Sequence, residues 1–125
     1  MTDKLRLDQE LPKATAEWGW KYHHTGIPTS TVMPNETYLP EFKLYVSGFS
    51  TSPFGIEWMR YEKDSPISKI IQNVPHIAFE VKDIDEEFRS HDFKIITPPN
   101  SPSDGCRVAM IEHNKAIIEL IEFKK

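Results

Sequence analysis

The sequence predicts an α+β domain made of two similar halves, and three observations predict it. Two glutamates stand inside apolar, strand-like runs: Glu57 in "GIEWMRYEK" and Glu119 in "IIELIEFKK". Two histidines stand at the start of strand candidates: His24 in "HTGIPT" and His76 in "HIAFEV". Residues 74–125 read β-α-β-β-β, whereas 21–64 read β-loop-β-β. The second half is ten residues longer between its histidine and its glutamate, which matches a helix that the first half lacks. A chain of 125 residues suits one compact domain or two half-modules sharing a core.

The elements follow in order. Residues 1–20 are mostly polar and close on Trp18 and Trp20. Pro12 stops a helix there, so we read an N-terminal extension that docks through its indoles on the domain or on a partner chain. "KYHHTGIPT" is a strand, with β-branched and aromatic residues. "STVMPNETYLP" has two prolines and no helical period, and reads as a loop. "EFKLYVSGF" and "GIEWMRYEK" are strands around the turn chemistry of "STSPFG". "VPHIAFEV" is a strand with its proline at the edge, where a missing donor is tolerated. A helix starts at Asp83, with Glu86 three residues on as a capping box and Ile84 and Phe88 as its apolar stripe. "FKIITPPNSPSDG" reads as a strand and then a loop. "CRVAMIEHNKAIIELIEF" reads as a hairpin turning at His113-Asn114.

Composition narrows the function classes. The net charge is −4, and no basic stripe runs along any element, which argues against a nucleic-acid partner. No apolar run approaches the ~20 residues of a membrane span, and no signal-peptide pattern opens the chain, so a cytoplasmic protein is expected. The single cysteine, Cys106, excludes an internal disulfide.

Strand alternation gives the repeat its chemistry. His76, Ala78 and Glu80 share one face, and Ile77, Phe79 and Val81 share the other, towards the helix. Glu119 shares a face with Ile117, Glu57 with Met59 and Tyr61, and His24 with Tyr22 and Gly26. The expected hairpin pairs Val108 with Glu119 and Met110 with Ile117, and so brings Met110 to the same wall. Buried carboxylates need partners, and two imidazoles with two carboxylates suit a divalent zinc, nickel, iron(II), manganese or cobalt ion. His23 competes with His24 for the inward position, and only register decides between them.

Over residues 21–123 the pattern resembles the vicinal oxygen chelate superfamily of glyoxalase, bleomycin-resistance and dioxygenase-like proteins. "PHIAFEVKDIDEEF" and "GCRVAMIEHNKAIIELIEF" carry the resemblance. It implies paired βαβββ modules forming a cupped, incomplete barrel, here with the first helix reduced or missing. It also implies a metal held by His24, Glu57, His76 and Glu119, with Glu119 or Glu57 as catalytic base. Met59, Tyr61, Met110 and Ile117 are then the expected pocket residues. The implied activity is a metal-dependent lyase, isomerase or dioxygenase acting on a small oxygen-rich substrate. The alternative is sequestration of a small molecule without turnover. A homodimer is expected, since modules of this family often pair across two chains.

Overall fold

The computed structural model describes residues 5–124. Its strands are β1 (Lys21–Pro28), β2 (Thr37–Leu39), β3 (Leu44–Ser47), β4 (Ile56–Tyr61), β5 (His76–Glu80), β6 (Lys94–Ser103), β7 (Cys106–His113) and β8 (Ala116–Phe123). Its helices are α1 (Lys13–Ala16), α2 (Lys69–Asn73) and α3 (Ile84–Ser90), with one 3-10 turn over Phe49–Thr51. The strands form one curled, half-barrel sheet in the order β2-β3-β4-β1-β5-β8-β7-β6.

That order has an internal symmetry. β1 pairs in parallel with β4, as β5 does with β8, and the halves meet where β1 runs antiparallel to β5. The two histidine strands are therefore neighbours at the centre, and the two glutamate strands flank them. A repeat that was visible only as spacing in the sequence becomes convergence in space.

The sheet is packed on its outer face in the second half. Trp20, Val81, Ile84, Ala109, Ile111 and Leu120 form one buried cluster, with Phe79, Phe88, Phe93 and Ile118 against it. α3 closes this cluster, and Asp83 caps it by accepting from the Glu86 amide at 3.2 Å. Glu86 does not complete the box. Its carboxylate holds Arg89 instead. The N-terminal segment docks here: Trp20 is buried, with its ring on Phe79 and Phe93 and its indole N–H donating to Glu87 at 2.9 Å. Trp18 lies against His91 and Trp20. No helix separates β1 from β2 in the first half.

Five local expectations change. Pro12 does not forbid α1 but starts it, at the N-cap where a missing N–H costs nothing. The segment read as a loop before residue 40 contains β2, three residues long. β6 continues through Pro98, Pro99 and Pro102, because it is an edge strand and its register shifts three times. The last hairpin turns at Asn114-Lys115, where both residues have positive φ (48° and 73°), as a two-residue primed turn requires. Met110 therefore pairs with Glu119 and Val108 with Ile121, a shift of two that keeps Val108 and Met110 on the Glu119 face. Finally, Ile77 is 41 % exposed, because α3 packs over Phe79 and Val81 and not over the start of β5.

The segment ahead of β1 is thus built into the second half's core. Trp20→Ala removes a buried indole and its bond to Glu87, and should cost about 3–5 kcal/mol in urea unfolding.

Candidate metal centre

Four strands deliver four polar side chains to the concave face. His24 and His76 are 6 % and 2 % exposed. His24 Nε2 lies 3.4 Å from Glu119 Oε1, and His76 Nε2 lies 3.0 Å from the same oxygen. Neither nitrogen has a hydrogen-bond partner of acceptable angle, although both are buried. His24, His76 and Glu119 each offer one ligand atom, all within 4.8 Å of one another, a buried group able to bind a metal. Glu57 stands at the edge, outside that trio, with Oε1 3.8 Å from His24 Nε2.

The two distances to Glu119 Oε1, 3.4 and 3.0 Å, fit the chemistry of a shared ion, and the 3.8 Å to Glu57 is longer. Ligand atoms ~2.1 Å from one metal lie roughly 3.0–3.4 Å apart in octahedral or tetrahedral arrangements. Two orphaned imidazole nitrogens aimed at one carboxylate oxygen supply a borderline-soft donor set suited to first-row divalent ions.

The electrostatics are coupled. Burial pushes the Glu119 carboxyl up, but the two imidazoles override it and hold Glu119 well below the usual carboxylate range. Burial pulls His24 down, and the adjoining Glu119, helped by Glu57, leaves it above its ordinary value. Glu57 goes the other way: burial raises its pKa, and the nearby Glu119 adds to the rise.

A β-bulge decides which histidine points inward. Tyr22 pairs with Phe79 and His24 with Ala78, so His23 is the extra residue. The bulge also moves Tyr22 off the His24 face. Its hydroxyl bonds Thr25 and the Phe54 carbonyl on the outer side. His23 is not a competitor but a partner, since its Nδ1 lies 2.8 Å from His24 Nδ1. Only one proton fits in that bond. The proton follows the tautomer: with Nε2–H towards Glu119, His23 donates, and with Nε2 freed for an ion, His24 carries its proton on Nδ1 and donates to His23. His23 is fixed in turn by stacking on Phe49, with ring centroids 5.0 Å apart.

Gly26 makes room for the second histidine. It pairs with His76 across β1 and β5, and a Cβ built on it would lie 2.2 Å from His76 Cε1.

A cavity of about 550 Å³ opens beside these groups. His24, Glu57 and Glu119 line one end, and Met59, Tyr61 and Met110 its walls. Ile117 is 1 % exposed, paired across from His76, and is not a lining residue. Leu44 and Val46 of β3 also line it, as do Thr97 and the prolines of β6, which were left out because "TPPNSP" reads as a loop. A second groove, about 740 Å³, runs beside Trp18 on the outer face, and none of the four polar residues borders it.

Gly26→Ala should drive the His76 ring from its place. We expect a lower urea midpoint, by about 1–3 kcal/mol, and a loss of nickel uptake measured by mass spectrometry.

No protein-family model matches this sequence, and no curated protein matches it either. Solved structures do. A hypothetical protein from Bacillus halodurans is 23 % identical with a TM-score of 0.65, over 85 % of this chain and 96 % of its own. Methylmalonyl-CoA epimerase from Mycobacterium tuberculosis is 17 % identical with a TM-score of 0.58, over 84 % of this chain and 89 % of its own. At these identities the likeness speaks for architecture alone, and it agrees with the symmetric strand order: the chain has the vicinal oxygen chelate fold.

Proposed function

We propose that this protein is a small metalloprotein that holds a divalent ion through His24, His76, Glu119 and Glu57 and acts on a small oxygen-bearing molecule in the adjacent cavity. One observation carries the reading: two buried imidazole nitrogens converge on one carboxylate oxygen, at 3.4 and 3.0 Å, without hydrogen-bond geometry. An ion between the three would satisfy all of these donor atoms at once. When bound, the metal supplies a Lewis acid that polarises substrate oxygens.

The chain's own residues divide the remaining work. Glu119 is held ionised by two imidazoles, which makes it a poor proton acceptor and a good ligand. Glu57 borders the cavity and its carboxyl is raised towards neutrality, so it is the better candidate to take a proton beside a carbonyl. Tyr61 stays a neutral hydroxyl, since burial and then the two glutamates raise its pKa; it lines the cavity with its O–H donating to Met59 Sδ at 3.8 Å. Met59, Met110 and Val108 exclude water from the reacting end. A lyase, isomerase or dioxygenase-type reaction is compatible with these parts. The apolar walls also favour a second reading, sequestration without turnover, which predicts a ligand recovered unchanged. Tyr22 and Ile77, half-exposed on the outer face, fit the homodimer that is part of the same proposal.

The test is metal uptake. Protein purified without an affinity tag and loaded with nickel or zinc should hold close to one ion per chain. A His76→Ala, Glu119→Ala double variant should hold none. An empty wild-type protein beside an equally empty variant would overturn the metal reading. His23→Ala should keep the ion but weaken it by about 10–100-fold in a competitive chelator titration, as loss of a ligand's orienting partner does. His23→Asn, which keeps an acceptor, should restore part of that affinity.

A further inference from the structure

The cavity wall is charged at one end only, and only negatively. Tyr61, Thr97 and Asn100 are its other polar residues, and the rest of the lining is hydrocarbon. Among the described residues no lysine or arginine lines it. The reason lies in strand parity. On β4, Met59 and Tyr61 point inward and Arg60 between them points out, where Glu36 holds it at 2.7 and 2.8 Å and its guanidinium lies 4.0 Å over Tyr45. On β7, Val108 and Met110 line the cavity, while Arg107 is turned outward to Asp85 and Glu122. Lys43, beside the lining residues Phe42 and Leu44, is tied to Asp64. Arg60, Arg107 and Lys43 are thus held by carboxylates, while Lys63 and Lys69, near Tyr61 and Ile67, are exposed and are not lining residues.

A phosphate or carboxylate on the body of a ligand, away from the His24 end, would leave water and meet hydrocarbon with no cation among the described lining residues. An apolar ring or alkyl body would lose nothing polar and would cover Val46, Met59, Val108 and Met110. The volume, about 550 Å³, lies within the ~300–1,000 Å³ of small-molecule sites. We propose that the ligand of this site has an uncharged, apolar body, its polar atoms confined to the end that meets His24, Glu57 and Glu119, and that molecules carrying a phosphate or carboxylate on the body, away from that end, are excluded. Only the polar end of this ligand rests on the metal reading; the apolar body rests on the wall.

A matched pair of probes tests it. Para-tert-butylcatechol and protocatechuate present the same two oxygens, with a tert-butyl group in one and a carboxylate in the other. Calorimetric titration of nickel-loaded protein without oxygen should favour the tert-butyl probe by about tenfold or more. Asn100→Arg places a cation at the exposed rim without disturbing the core, and should narrow that preference by strengthening protocatechuate binding. Equal binding of the two probes to wild-type protein, or tighter binding of protocatechuate, would overturn the proposal while leaving the metal reading intact. If the tert-butyl probe alone binds, and binds equally with and without nickel, the ligand class stands and the metal reading fails. If neither probe binds in either form, both readings fail.

Discussion

The concave face is organised around one constraint: the Glu119 carboxylate is buried between two imidazoles on neighbouring strands. An ionised carboxylate in that position needs compensation, and the fold supplies it from β1 and β5, which lie side by side only because the two halves join there in antiparallel fashion. The strand order, the bulge at His23 and the glycine opposite His76 all serve the same convergence. Shifting any one of them by a residue would leave a buried charge facing hydrocarbon.

The chemistry of the centre was legible from the sequence because it was repeated. A histidine in the first strand and a glutamate inside an apolar last strand occur once in each half, although His24 proves to be the fourth residue of β1 where His76 opens β5, and symmetry places the pairs together. The match of "HTGI" to "HIAF" favoured His24 over His23, but the bulge that seats His24 inward was not legible, because it depends on pairing with β5 and leaves no mark in β1 itself. The hairpin register failed for a similar reason. Lys115 adopts positive φ without being a residue that announces it. The face of Val108 and Met110 survived that error because a shift of two restores strand parity.

Prolines misled in both directions. In α1, Pro12 marked a beginning and not an end. In β6, three prolines were taken for a loop, yet an edge strand has donors that face no partner, so it can lack them. Reading them as loop also hid one wall of the cavity. The tryptophans were clearer guides, since two large indoles close together in a polar segment need cover, and Trp20 finds it against α3 and β5.

The two sheet edges have a consequence for how this molecule meets its neighbours. One edge is β2, three residues long; the other is β6, interrupted by prolines and shifted in register. Neither offers a straight run of free amides and carbonyls onto which a strand from another molecule could polymerise. An open half-barrel would otherwise invite such growth. Among the described residues both ends thus disfavour main-chain pairing with another molecule, and side-chain surfaces are the better-suited contacts.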